Sequence, residues 1–348
     1  MSFLQAVILS IIERMNGDRT VSSVFHLLKG KKSSQTIQDA HLYKIDQWFQ
    51  TVGWIERNEF AHAVQQLVQK GYIVMNDEEK PHITSNGRKA KDDYLKDKPS
   101  LSDLHGWKYQ NCAQSFWKRL SFLVQVISHL AAATQKYYPV TRDDHIQNWL
   151  KTYIRQQQLP KQQLINGLHH ELKVLLSKQE ADDPLILVLR LSGFKRTGKT
   201  TQQAASTLNV EETEYHFRFL NLFHALIKEI ASNPSSYPLL YRAMEDIYEP
   251  LVLTASTKKT AELIERGYTI DAMAAERNLK QSTIEDHIVE LALQVPEFSI
   301  LPFISEAEIQ QVRETAARHA GKKLKPIKDE LKELSYFQIR LVLAKYSR

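Results

Sequence analysis

Two stretches of this sequence bring together residue types and spacings suited to chemistry on phosphate. The first, Gly193-Phe194-Lys195-Arg196-Thr197-Gly198-Lys199-Thr200, fits G-x-x-x-x-G-K-T residue for residue. In that pattern a turn of small residues lends backbone N–H groups to phosphate oxygens, the lysine reaches the outer phosphates, and the hydroxyl residue holds magnesium. LILVLRLS before it suits a strand and the residues after it suit a helix. Two things are missing: a later apolar strand ending in the aspartate that holds the magnesium-bound water, and the α/β alternation of such domains. The same residues read as a helix-turn-helix, with helices at 185–191, 201–205 and 211–223 and a turn at Leu208-Asn209. Gly198 to Thr201 is then a helix-capping turn, and this is the reading adopted. An ATP-dependent switch built on residues 193–200 stands as an alternative.

The second stretch runs from Thr254 to Leu291 and divides into three helices. Ser256 or Thr257 can cap the first, and Gly267 suits a left-handed ending. Thr269 can cap the second, Ile270 to Arg277, with Ile270, Met273 and Ala274 inward; Asn278-Leu279 makes the turn. Ser282 and Glu285 match a capping box at the start of the third, whose apolar face is Ile284, Ile288 and Leu291. A duplex-reading helix enters the major groove N-terminus first. That places Lys280, Gln281, Ser282, Thr283 and His287 toward base edges or phosphates, with Lys258 and Lys259 nearby. Farther on, Lys322, Lys323, Lys325 and Lys328 crowd a short stretch that can track a phosphate backbone. Glu285, Asp286 and Glu290 oppose phosphate, so these eleven residues predict DNA binding that is chiefly electrostatic.

Nothing else in the chain assembles a site. His169-His170-Glu171 and His224 lack a third partner at metal-ligand spacing, and the single cysteine, Cys112, cannot form an internal disulfide. Trp107, Phe116, Trp117 and Phe122 fall at helical spacings that suit core packing better than base stacking. No catalytic residue, no metal ligand and no cofactor is assigned, and the chain is read as non-enzymatic.

The elements that must position these residues are helices. With 348 residues, 43% hydrophobic and 25% charged, the chain can bury two or three cores, and its 11 Gly and 11 Pro are few for a strand-rich fold. A net charge of +6 and a pI near 9.1 favour anionic partners without demanding one. The apolar run Phe3 to Ile12 has no basic residue before it and is followed by Glu13-Arg14, so it predicts a buried helix and not a secretion signal. Leu120 to Thr134 is too short and too polar to span a bilayer, so no membrane association is expected and the cytoplasm is the expected compartment.

The expected fold class is mainly α. Residues 1–96 form a winged-helix-like domain: a helix with Phe60, Val64, Leu67 and Val68 inward ends at Gly71, and strands 72–75 and 82–84 flank a polar turn. Residues 97–236 form a helical middle domain containing the possible second helix-turn-helix at 185–225. Residues 237–348, beyond the proline- and serine-rich SNPSSYP, form the C-terminal helix-turn-helix domain with its basic helical tail.

The C-terminal stretch resembles the helix-turn-helix domain at the end of some RecQ-family helicases and in the YpbB-like proteins of Bacillus-type bacteria. The resemblance is carried by T-A-S-T from Thr254 with its following lysines, by G-Y-T-I from Gly267, by A-x-x-R-x-L from Ala274, and by S-T-I-E from Ser282 with His287. A second patch, Leu324 to Ala344, resembles the basic helix and S-Y-x-x-I-R-L-V-L-A that follow that domain. No helicase motor precedes it here. The resemblance implies an accessory factor in DNA repair or recombination that partners a RecQ-like helicase and DNA. A sequence-specific transcription regulator is the other reading.

Overall fold

The computed structural model describes residues 1–134, 136–319 and 324–346. In chain order the helices are α1 (Phe3–Met15), α2 (Val21–Lys29), α3 (Ser34–Leu42), α4 (Arg57–Gln69), α5 (Ser85–Leu95), α6 (Gly106–Tyr109), α7 (Ala113–Ala131), α8 (Asp144–Gln156), α9 (Lys161–Ser177) and α10 (Leu185–Val188). They continue with α11 (Thr201–Thr207), α12 (Glu212–Ser232), α13 (Pro238–Arg242), α14 (Ala255–Glu265), α15 (Ile270–Arg277), α16 (Gln281–Gln294), α17 (Glu306–Arg318), α18 (Leu324–Glu330) and α19 (Tyr336–Tyr346). Between α4 and α5 lie β1 (Ile73–Met75) and β2 (Pro81–Ile83), an antiparallel hairpin in the register Ile73↔Ile83. The mainly helical class expected from the sequence is what the chain adopts, and no helix among the described residues is long and apolar enough to cross a membrane.

The chain divides into two compact units, each discontinuous in sequence: residues 1–7 with 90–249, and residues 8–89 with 250–348. The first is an aromatic-rich helical body. Phe116 of α7 stacks on Phe223 of α12 with centroids 5.5 Å apart, and Trp117 meets Phe219 edge-on at 4.9 Å. Tyr237, Leu240, Ala243 and Met244 are fully buried in the same core, so the chain beyond the Ser232–Pro238 break still belongs to it. The buried Glu171 carboxylate accepts from the amides of Leu239 (3.1 Å) and Leu240 (2.9 Å), closing the start of α13. Burial pushes this carboxyl above its usual range. His224, also buried, accepts from the His105 amide (3.1 Å), and burial lowers it to about 3. Both residues are held as structural groups.

In the second unit, α4 and the hairpin form a wing on a helical body. α5 can pass against Tyr72, the residue before β1, because residue 87 is glycine; a Cβ there would sit 2.1 Å from the Tyr72 carbonyl oxygen. α3 packs against both α16 and α19. Arg340 on α19 donates to Gln38 (3.0 Å) and Ser34 (3.3 Å) of α3 and pairs with Asp286 of α16. The core beneath gathers Met273, Ile284, Ile288, Val312, Ile327, Phe337 and Leu341.

Candidate nucleic-acid interface

α14, α15 and α16 form the three helices expected at the C-terminus. Thr254 caps α14 by accepting from the Thr257 amide, ahead of the Ser256 or Thr257 expected in that role. Thr269 caps α15 as expected, and α15 ends on Asn278 in the left-handed conformation (φ 49°). The tight turn then leaves Lys280 extended, so α16 starts at Gln281 and Ser282 already lies inside its first turn. The capping box expected of Ser282 and Glu285 therefore does not form; no side chain caps α16.

The module is locked by a polar network that the pattern of apolar residues did not reveal. Glu290 of α16, only 6% exposed, accepts from the Thr254 amide (2.6 Å), the Thr254 hydroxyl (2.9 Å) and the Thr257 hydroxyl (2.7 Å). One turn on, the Thr260 hydroxyl meets His287 Nδ1 at 2.8 Å. Arg277, from the end of α15, donates to the Ser256 carbonyl (2.8 Å) and hydroxyl (2.9 Å) and to Thr260. Threonines at 254, 257 and 260 share one face of α14, and a hydroxyl at every third position is the sequence signal for such an inward polar stripe. His287 is buried here and lowered to about 4, first by burial and then by Arg277. It holds α14 against α16 from inside instead of facing outward.

The other sequence-selected residues fall into three groups. Lys280, Gln281 and Ser282 are exposed and Thr283 half-exposed, all together at the open start of α16. Lys258, half-buried, and Lys259, exposed, sit on the first turns of α14, which Arg277 ties to the end of α15 just ahead of Lys280. Lys325 is exposed on α18, whereas Lys328 turns its ammonium inward to the carbonyls of Lys332 (2.7 Å) and Leu334 (2.6 Å). Lys322 and Lys323 lie outside the described residues. The acids that oppose phosphate are partly disarmed: Glu290 is buried in the threonine network and Asp286 is paired with Arg340. Asp271 and Glu276 on α15 stay exposed.

The G-x-x-x-x-G-K-T stretch lies in the loop between α10 and α11. Most of its amides are taken: Gly193 and Arg196 bond each other's carbonyls (2.9 and 3.0 Å), Phe194 donates to Ser128 Oγ (2.9 Å), Gly198 to Ser192 Oγ (2.9 Å) and Lys199 to the Leu189 carbonyl (2.8 Å). Thr200 caps α11 in a reciprocal capping box with Gln203, which takes the Thr200 amide (3.0 Å). A phosphate cradle needs those same N–H groups pointing outward. α10, α11 and α12 supply the three helices, although α10 is a single turn and shorter than expected.

The two motifs superpose in sequence. In each, a left-handed asparagine, Asn209 or Asn278, follows a capping threonine, Thr200 or Thr269, by nine positions. The buried pairs Ala204 and Met273, Tyr215 and Ile284, and Phe219 and Ile288 then correspond. Where the second motif opens its third helix with Lys280, the first opens with Glu211, whose carboxylate accepts from the Phe3 amide (2.9 Å). Only the C-terminal copy keeps that helix start basic and uncovered.

Among the described residues no group of three or more His, Cys, Asp or Glu could hold a metal ion. Residues 256–343 match a family model described as a helix-turn-helix domain. Over 347 residues, 99% of this chain and 98% of the relative, the sequence is 34% identical to Protein YpbB of Bacillus subtilis strain 168. No solved structure matches the chain.

Proposed function

The chain belongs to the YpbB family, and from that premise we propose that it is a DNA-binding accessory factor that works beside a RecQ-like helicase in repair or recombination. The observation that carries the DNA-binding part is the start of α16. Its first residues Lys280, Gln281 and Ser282 are exposed, no side chain caps it, and two of the acids on the same helix are buried or paired. An uncapped helix start presents positive dipole and unsatisfied amides to a phosphate, and the lysines add long-range attraction. Lys258, Lys259 and Lys325 extend that field, with Lys322, Lys323 and Lys328 counted in the same basic tail. Gln281, Ser282 and Thr283 are the residues for base edges or phosphates, and His287 supports them from inside the module. The helicase comes from the resemblance alone.

Duplex binding by the full chain tests the reading. Removing Lys322, Lys323 and Lys325 together should weaken all sequences alike and lower the salt dependence by roughly one unit of log–log slope for each phosphate no longer neutralised. Lys280→Ala should weaken binding more than Gln281→Ala. A full chain with no duplex affinity at low salt, or an unchanged salt slope, overturns the DNA-binding part. Purification from cells without a stoichiometric helicase overturns the partnership.

A further inference from the structure

A different surface, formed by described residues between 128 and 142 and between 192 and 206, carries an inference that does not rest on the C-terminal module. Two loops are pinned side by side to one face of α7. Gln125 Nε2 donates to the Tyr138 carbonyl (3.0 Å) and its Oε1 accepts from the Val140 amide (2.9 Å). One turn on, Ser128 accepts from the Phe194 amide (2.9 Å), and Gly193 is glycine where a Cβ would lie 2.7 Å from that hydroxyl. His129 joins them: its ring stacks on Tyr137 (4.4 Å) and meets Phe194 edge-on (5.8 Å). A row of rings Tyr137–His129–Phe194 is thereby fixed from beneath. Phe194 is 41% exposed and Tyr138 is 96% exposed.

The surroundings are basic. Lys136, Lys195 and Lys199 are all exposed, and the Lys195 ammonium lies 5.3 Å from the Phe194 ring centre. On the same loop opens a groove of about 610 Å³ lined by Thr197, Gly198, Lys199, Gln202, Gln203 and Ser206, with no carboxylate among these residues. The nearest acid along the first loop, Asp143, is spent on the start of α8, where it accepts from the His145 amide. Exposed rings are costly unless they meet a partner with flat apolar faces, and exposed lysines beside them select one that is also anionic. Unpaired bases on a phosphate backbone have both properties; a duplex hides its faces.

The geometry points to this surface as a binding platform for single-stranded nucleic acid, with Phe194 and Tyr138 stacking on bases and Lys136, Lys195 and Lys199 following the phosphates. The platform explains why the G-x-x-x-x-G-K-T loop is basic although most of its amides are committed elsewhere: its charge lies in side chains. DNA and RNA share the required chemistry, so both strands enter the test.

Fluorescence anisotropy on the full chain with labelled oligo-dT and oligo-rU of about 15 nucleotides, a length near the single-fold site size, reads it out. Phe194→Ala with Tyr138→Ala should weaken single-strand binding by about tenfold or more, whereas Phe194→Trp should hold it. Both positions are exposed, so folding survives. Lys195→Ala with Lys199→Ala should flatten the salt dependence by roughly 0.7 of a slope unit for each phosphate no longer neutralised. A preference for dT or for rU names the natural strand. Duplex affinity should stay with the wild type in all of these, while Lys280→Ala should do the reverse, so the two readings fail separately. Single-strand affinity unchanged in the double aromatic variant, Phe194→Leu binding as well as Phe194→Trp, or no binding of either oligonucleotide at low salt overturns the proposal.

Discussion

At the scale of single residues, several of the polar side chains that carry the family resemblance are turned toward one another inside the module. Thr254, Ser256, Thr257, Arg277 and His287 are hydrogen-bonded to one another or to Glu290, which makes the T-A-S-T signature a clamp between helices. Removing one member leaves buried polar groups unpaired at about 1–3 kcal/mol each. Glu290→Ala should therefore lower the melting temperature clearly, and a melt like that of the wild type would argue against the clamp. The network also sets a pH dependence. His287 titrates at about 4 and His224 at about 3 when folded, against 6.5 in an unfolded chain. Below about 6.5 the unfolded chain takes up protons that the folded chain refuses. Stability is thus complete above 6.5 and falls with acid, by up to about 1.4 kcal/mol per pH unit for each histidine. Calorimetry between pH 7 and pH 4 should show that fall, and His287→Gln should make it shallower; an equally steep His287→Gln profile would count against the assignment.

At the scale of elements, the wing and the two helix-turn-helix motifs show how local patterns and their uses part company. The hairpin turn carries Asp77, Glu78 and Glu79, Val74 and Met75 of β1 are exposed, and so is Val68 of α4, which the helical pattern places inward. Acids with apolar neighbours suit a protein partner and repel phosphate. Reversing the three acids should leave duplex affinity unchanged or raise it, and a marked loss in an anisotropy titration would assign the wing to DNA instead. Gly87→Ala should loosen the wing, since the Cβ has no room beside Tyr72; faster amide exchange in β1 and β2 is the readout. Helix periodicity, Gly71 and the Asn278 turn were legible because each is a local rule. The start of α16 was not, since a left-handed asparagine followed by an extended lysine moves the helix ahead of Ser282. The inward role of Glu290 was hidden for another reason: an acid looks solvated until the threonines facing it from another helix are known.

At the scale of the whole molecule, what no local pattern could carry is the path of the chain. Helix α3 lies among the first fifty residues, yet its partners are α16 and α19, joined through Arg340 to Gln38 and Ser34. A fragment starting at Pro250 lacks that cover, so it should exchange amides in α16 and α19 faster than the full chain. Residues 8–89 added in trans should slow the exchange; no protection on mixing would mean that α3 contributes little. The same path bears on how the protein is made. A ribosome delivers residues 8–89 first, then the whole of 90–249, and only afterwards the helices that residues 8–89 are to meet. At about 5–20 residues per second the early segment waits on the order of ten seconds or longer with its apolar face uncovered. The first unit, in contrast, has all its residues once Glu249 emerges. Synthesis therefore imposes an order of completion, and a premature stop near the C-terminus strands the earliest-made helices without partners, as a substrate for chaperones or proteases.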